Sequence, residues 1–416
     1  MMRGPEIITM GCRLNIAESE AMRGLAHDRD DLVIVNSCAV TAEAVKQTRQ
    51  AIRRARRARP DARIVVTGCA ADTEPQTFMA MAEVDEVLPN RDKLAFVPGA
   101  APIAAFTEHA RAFVEVQNGC DHDCTFCIIP LGRGKSRSIA AGPLIERIAA
   151  LVDSGHREVV LTGVDVTSYG TDLPGRPSLG QVVERILRHV PSLQRLRLSS
   201  LDSVEIDDRL FEIVTGEPRV MPHLHLSLQS GDDMILKRMK RRHSRADAIR
   251  IVERLKAKRP DIAIGADIIA GFPTEDEAMF ANSLRLVEEC DIVHGHVFPY
   301  SPRPGTPAAR MPQLDPALVK DRARRLRAAC DAQKATWLDG LVGTTQYVLV
   351  ELSGANGHAE NFATIHLRHP RESGDPASAS FSDAQERQLD FRFHGNDVVE
   401  VKITARHAHT LTGIPQ

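Results

Sequence analysis

Gln117-Asn118-Gly119-Cys120-Asp121-His122-Asp123-Cys124-Thr125-Phe126-Cys127 follows the strand-like run Ala112-Phe113-Val114-Glu115-Val116 and brings three thiols together within eight residues. A cubane 4Fe-4S cluster has four irons and is normally closed by four cysteines, so a loop offering three leaves one iron open to a substrate or cofactor. The competing reading is structural zinc, which takes four closed ligands, usually as two C-x-x-C-type pairs. Only Cys124 to Cys127 has that form. Cys120, Cys124 and Cys127 are therefore the candidate catalytic cysteines and metal ligands.

A chain of 416 residues exceeds one ordinary core and predicts two or three domains. With 43% hydrophobic and 26% charged residues it reads as a soluble globular protein. Aromatic residues make up only 4%, which argues against a wide aromatic platform for stacking bases. A net charge of -2 confines any RNA contact to local patches. The opening Met1-Met2-Arg3-Gly4-Pro5-Glu6 carries no apolar signal segment, and no run of about 18 uncharged apolar residues occurs. The expectation is a cytoplasmic protein without a membrane partner, whose eight cysteines are reduced thiols, the clustered ones being ligands.

Around the cysteine loop the chain divides into three blocks. Residues 1–97 alternate apolar runs (Asp31 to Asn36, Arg63 to Gly68) with helical stretches, the pattern of a small parallel α/β domain. Cys12, Cys38 and Cys69 each fall just past a strand end, and in an open parallel sheet such positions converge on one crevice. Taken together they point to a second three-cysteine cluster; taken singly, each reads as a small buried core residue. Residues 98–110, with Pro98, Gly99 and Pro102 among alanines, read as a linker.

From 111 to 338 strands (Phe113 to Gln117, Glu158 to Thr162, Arg195 to Ser199, His223 to Gln229, Ile262 to Ile269, Ile292 to Phe298) alternate with helices. Six such units predict a partial (β/α)6 barrel with its active face at the C-terminal ends of the strands. Leu224, Leu226 and Leu228 alternate with His223, His225, Ser227 and Gln229, so the inner face is polar and lines a filled cavity. Asp267, His294 and His296 occupy similar positions and read as hydrogen-bonded interior groups, the two histidines not as a metal site. Cys290 and Cys330 end predicted helices and read as structural. Residues 343–416 change to short strands with Gly354, Gly357 and Gly395 at turns, a small antiparallel β-barrel. Residues 369–386 are too polar to pack and predict a disordered insertion.

The cysteine spacing, with Cys127-Ile128-Ile129-Pro130 and Gly132 to Ser138, resembles the radical S-adenosylmethionine (SAM) enzymes, and within them the methylthiotransferases. The resemblance runs almost end to end. It includes Thr9 to Cys12 with Asn15 and Glu18-Ser19-Glu20, Asn36 to Thr41, Thr67-Gly68-Cys69, Leu161 to Val164, Ser227 to Gly231, Asp267 to Pro273 and Phe298 to Thr306. Gly357 to Phe362 is similar to the TRAM domain, a small RNA-binding β-barrel. One departure is the short stretch between Glu20 and Asp31, where the family's first domain has a strand.

The resemblance implies that Cys120, Cys124 and Cys127 hold a 4Fe-4S cluster whose open iron binds SAM and whose electron yields a 5'-deoxyadenosyl radical. Cys12, Cys38 and Cys69 would hold an auxiliary 4Fe-4S cluster that delivers sulfur. Such a cofactor is needed because no side chain removes an adenine C2 hydrogen as a proton at neutral pH. Gly163, Gln229, Gly231, Asp267 and Gly271 are expected at the SAM cofactor, the glycines by letting backbone approach it. Arg133, Lys135 and Arg137 are expected at the tRNA anticodon stem-loop, with Arg133 or Arg137 meeting a substrate carboxylate. The basic run Lys46, Arg49, Arg53, Arg54, Arg56, Arg57 and Arg59 reads equally as an RNA contact or a solvated helix face. An electron donor such as flavodoxin or ferredoxin and a sulfur source complete the expected partners. Gly132 to Ser138 and Leu236 to Arg242 look most like the branch acting on N6-threonylcarbamoyladenosine. The alternatives are isopentenyladenosine, a ribosomal-protein aspartate, or a non-catalytic zinc-stabilised RNA-binding protein.

Overall fold

Two buried apolar runs, Leu32–Ser37 and Arg63–Gly68, flanked by two less buried strands, build the first unit of the computed structural model, which describes residues 4–94, 106–368 and 395–416. Strands β1 (Glu6–Thr9), β2 (Leu32–Ser37), β3 (Arg63–Gly68) and β4 (Glu86–Val87) form one parallel sheet in that order. Both faces are covered, which is why the central strands read as unbroken apolar runs. Met22 of helix α1 (Arg13–Leu25) packs with Leu32, Ile34 and Val65. Val45, Ile52 and Ala55 of α2 (Ala42–Ala58) pack with Val33, Val35, Ile64 and Val66. Two short helices, α3 (Cys69–Thr73) and α4 (Pro75–Met79), follow β3. No strand lies between α1 and β2, in keeping with the shortened stretch noted above.

The second unit is an open barrel. Its parallel strands are β5 (Arg111–Glu115), β8 (Glu158–Thr162), β9 (Arg195–Leu198), β10 (His223–Gln229), β11 (Ala263–Ala270) and β12 (Ile292–Pro299). They form two three-stranded sheets, β5-β8-β9 and β10-β11-β12, joined by the parallel bridges Leu196 to Val220 and Leu201 to Leu226. Between β5 and β8 the short pair β6 (Gln117–Asn118) and β7 (Arg137–Ser138) closes the cysteine loop, with α5 (Ile129–Arg133) inside it. The outer layer comprises α6 (Ala141–Asp153), α7 (Leu179–His189), α8 (Asp208–Gly216), α9 (Asp233–Arg238), α10 (Arg245–Lys258), α11 (Glu277–Glu289) and α12 (Pro316–Leu341). Ser178 and Ser244 start α7 and α10 with capping boxes, satisfying helix N–H groups that would otherwise be orphaned. Cys330 lies in the middle of α12, not at a helix end, and its sulfur fills the space left by Gly295. No helix among the described residues is long and apolar enough to cross a membrane.

The third unit is a closed barrel in the order β13-β14-β15-β17-β16, with β13 (Thr345–Val350), β14 (Asn356–Ala359), β15 (Thr364–Leu367), β16 (Val398–His407) and β17 (Thr410–Pro415). Leu338 at the end of α12 enters its core. Gly357, expected at a turn, is inside β14, where a Cβ would lie 2.3 Å from the Leu349 carbonyl oxygen. The expected insertion 369–386 and most of the expected linker 98–110 lie outside the described residues.

One aromatic joins this barrel to the floor of the second unit. Phe362, in the turn after β14, is held at φ 71°, a left-handed conformation costing a bulky residue about 1–2 kcal/mol. Its ring stacks on His223 (4.9 Å) and His358 (4.8 Å), and the guanidinium groups of Arg197, Arg111 and Arg13 lie 5.0, 5.2 and 5.6 Å from its centre. Arg197 also donates to the Ala359 and Glu360 carbonyls at 2.8 and 2.7 Å. Phe362→Ala is expected to cost about 2 kcal/mol, less than a core phenylalanine because the ring is half-buried. The denaturant midpoint measures it; an unchanged midpoint would mean that the Arg197 bonds alone hold the floor.

Candidate active site

The three-cysteine loop hangs from the C-terminal end of β5. Gly119 precedes it at φ 74°, where any Cβ would lie 2.0 Å from the Lys135 carbonyl oxygen. The loop is then pinned by Cys120 N to Gly134 O (3.1 Å), Thr125 Oγ1 to Arg238 O (2.8 Å) and Cys127 N to Cys124 O (3.1 Å). Polar hydrogens point at its sulfurs: His122 N lies 3.4 Å from Cys120 Sγ and Arg241 Nη1 3.6 Å from Cys124 Sγ. Burial pushes the Cys120 thiol up to about 12 and the Cys127 thiol to about 11, so neither ionises unaided at neutral pH. Metal coordination removes that obstacle, since a ligating thiol is deprotonated outright. Three sulfurs on one loop, with N–H donors to accept their charge, fit a three-cysteine cubane.

His122 and Asp165 also approach Cys120, with the three ligand atoms within 4.8 Å of one another. Asp165 is already engaged by His122 (2.7 Å) and Ser168 (2.7 Å). A zinc ion there would leave Cys124 and Cys127 without a role.

The other three cysteines stand at the ends of neighbouring strands. The ladder pairs Thr9 with Asn36 and Ser37 with Gly68, so Cys12, Cys38 and Cys69 emerge side by side. Cys38 is close enough to feel the charge of both others, and burial, the larger effect, pushes its thiol up to about 11. A Cβ on Gly11 would lie 2.8 Å from Cys38 Sγ, which explains glycine before Cys12.

Arg133 ties the two sets together. From α5 it donates Nε to Cys69 Sγ (3.1 Å), Nη1 to Glu18 (2.8 Å) and Asn118 (2.9 Å), and Nη2 to Asn15 (2.5 Å). Lys93 Nζ approaches the other Glu18 oxygen at 2.5 Å. Burial opposes ionisation of Glu18, but Lys93 and Arg133 outweigh it and hold the carboxyl at about 2. Expected at the anticodon or a substrate carboxylate, Arg133 is instead buried with its donors committed, because a cation inside the protein requires fixed partners.

Other expected RNA contacts divide in the same way. Lys135 and Arg137 are exposed, Arg137 bracing the Arg133 and Lys135 carbonyls. Lys240, Arg241 and Arg242, in the stretch read for its branch resemblance and not as an RNA contact, are bound to Asp123, Asp202 and Glu205. On α2, Arg56 and the following Arg59 tie down backbone carbonyls, whereas Arg53, Arg54 and Arg57 are exposed.

Inside the barrel the polar groups pair. Asp267 accepts from His225 Nε2 (2.9 Å) and lies 3.3 Å from His296 Nδ1. Against the cost of burial, these two imidazoles hold the carboxyl well below its usual range. Glu158 meets Arg197 (2.6 Å) and Arg195 (3.2 Å), and Glu351 meets Arg111 (3.1 Å). His294 turns to Trp337 and Phe362, and burial pushes it down to about 3. Arg13 has no such partner. Burial, then Arg111 and Arg197, push it down to about 10, which leaves it charged at neutral pH.

The expected glycines serve packing. A Cβ would lie 2.6 Å from Gln117 O at Gly163, 2.5 Å from Asn282 O at Gly231, and 2.8 Å from Val319 Cγ2 at Gly271. The space that a side chain would need beside each is filled by protein. Gln229 ends β10 half-buried at φ 66°. Sequence reasoning assigned no site role to Arg13, Glu158, Arg197 or Phe362, whose partners lie far away in sequence.

Residues 114–287 match the radical SAM superfamily, and residues 5–89 match Uncharacterized protein family UPF0004. A SAM-analogue complex of the radical SAM methyltransferase TsrM from Kitasatospora setae shares the fold at TM-score 0.51 and 14% identity, over 76% of this chain and 80% of that one. Barrel and cysteine loop thus define a radical SAM enzyme. The chain is 48% identical to the threonylcarbamoyladenosine tRNA methylthiotransferase MtaB of Rickettsia prowazekii, over 87% of this chain and 91% of that protein. It is 35% identical to that of Bacillus subtilis over 78% and 79%. It is also 34% identical to the tRNA-2-methylthio-N(6)-dimethylallyladenosine synthase of Erythrobacter litoralis, over 83% and 86%. The chain belongs to the MtaB-type radical SAM tRNA methylthiotransferases. It is an enzyme that uses SAM and two 4Fe-4S clusters and draws electrons from a reductant, which sets aside the non-catalytic zinc reading.

Proposed function

We propose that the enzyme adds a methylthio group to C2 of N6-threonylcarbamoyladenosine beside the tRNA anticodon, and that Cys120, Cys124 and Cys127 hold the cluster that cleaves SAM. Cys12, Cys38 and Cys69 hold the auxiliary cluster. The observation that carries the substrate is the 48% identity to a threonylcarbamoyladenosine enzyme against 34% to a dimethylallyladenosine one. When bound, the first cluster supplies the electron that breaks a sulfur–carbon bond of SAM. The chain's own groups do the rest: Arg241 and Arg133 orient sulfurs, the His225, Asp267 and His296 set polarises the cavity wall, and Phe362 shuts water out from below.

The domain assignment follows: 1–97 for the auxiliary cluster, 111–338 for radical chemistry and 343–416 as a TRAM-like RNA-binding barrel. Lys135, Arg137 and the exposed arginines of α2 meet the anticodon stem-loop through phosphates. A flavodoxin or ferredoxin supplies electrons, a separate donor supplies sulfur, and the setting is the cytoplasm. The test is anaerobic turnover with reductant and SAM, followed by nucleoside analysis. tRNA bearing threonylcarbamoyladenosine should acquire the methylthio group, and tRNA bearing isopentenyladenosine should not. Equal turnover of the isopentenyl tRNA, or of the ribosomal protein, would move the chain to another branch.

A further inference from the structure

We infer that Arg13 is the specificity-determining cation of the cavity, the group that receives the carboxylate of the substrate's threonylcarbamoyl arm. This rests on the substrate reading above and adds the residue that enforces it. The charges of the cavity are otherwise accounted for. Glu158 is shared by Arg195 and Arg197, Glu351 by Arg111 and His358, and Asp267 by His225 and His296. Among the described residues Arg13 alone of this group donates to no acceptor and meets no carboxylate; its one contact of this kind is the Phe362 ring at 5.6 Å. An aromatic face attracts a cation but takes none of its hydrogen bonds, so the planar N–H fork is free to bind a carboxylate through two parallel bonds.

Position agrees with charge. Arg13 follows Cys12 directly, at the start of α1, and reaches the Phe362 floor. An adenosine arm extending past the auxiliary cysteines into the barrel meets it. The two arginines favoured on sequence grounds are unsuited: Arg133 is consumed by Glu18, Asn15 and Asn118, and Arg137 is exposed. Asp267 turns one oxygen, Oδ1, to both imidazoles, and no hydrogen bond or ion pair joins it to Arg13 among the described residues. An isopentenyl arm would leave the guanidinium unpaired, and a site built to pair a group rejects the analogue that lacks it.

The experiment compares two tRNA substrates, one bearing threonylcarbamoyladenosine and one in which its carboxylate is converted to the carboxamide. Wild-type kcat/KM should favour the acid by about 100-fold, on the order expected for an unpaired buried charge. Arg13→Gln should reduce turnover of the acid by about 100-fold and bring the acid-to-amide ratio to roughly 1, while Arg13→Lys should restore part of the preference. Preserved discrimination in Arg13→Gln would overturn the assignment, as would loss of iron in both variants, which would place the residue in support of the Cys12 loop. Wild-type enzyme that ignored the acid and modified isopentenyl tRNA would instead overturn the substrate reading and this inference with it.

Discussion

Replacing Cys120, Cys124 and Cys127 together by alanine is expected to remove about half the iron and all SAM cleavage, and with it every methylthiolated product. The loop's backbone is pinned by Gly134, Arg238 and Met239 rather than by the thiols, so the fold should survive the loss of three sulfurs. Alanine at Cys12, Cys38 and Cys69 should likewise remove about half the iron but leave cleavage while eliminating the methylthio nucleoside. Iron analysis, 5'-deoxyadenosine release and nucleoside mass spectrometry separate the two sets. Cleavage surviving in the first variant, or lost from a folded second variant, would reject the division of labour between them.

Glu18→Gln should be the most destabilising single substitution at the junction of the first two units, by about 3–5 kcal/mol, because it leaves Arg133 and Lys93 buried without their shared anion. The Glu18 carboxyl titrates at about 2 in the folded protein, below its unfolded value. Its contribution is therefore complete above about pH 4.5 and is lost as pH falls toward 2. The denaturant midpoint of wild type should drop across that window more than that of Glu18→Gln. Adding Arg133→Met to Glu18→Gln should restore part of the loss by removing one stranded cation. A single-variant cost below about 1 kcal/mol would show that water reaches the pair, as it does at exposed ion pairs.

Legibility followed the range of the determining contacts. His223 to Gln229 was bounded correctly because its period-two pattern is a local consequence of one apolar and one polar face. The two cysteine sets were legible because one has a fixed spacing on a single loop and the other falls at the ends of neighbouring strands. Helix α12 runs past the helix end expected at Cys330: its buried Val319, Arg322, Leu326 and Leu338 include a charged residue, and its far end turns toward a different core. Strand β14, Asn356-Gly357-His358-Ala359, has no β-branched residue and is a strand because its partners accept it. Arg133 looked like a surface cation because its partner Glu18 lies 115 residues away in sequence. Only the folded chain brings them together.

Phe362 makes the C-terminal barrel a contributor to the cavity, not a detachable RNA handle. Exchanging that barrel between family members would import a foreign tile into the reaction chamber, along with whatever RNA affinity it carried. Chimeras joined within α12 (Pro316–Leu341) take residues 13 and 362 from different parents and should fail as catalysts even where both halves fold, unless one of the two residues is exchanged as well.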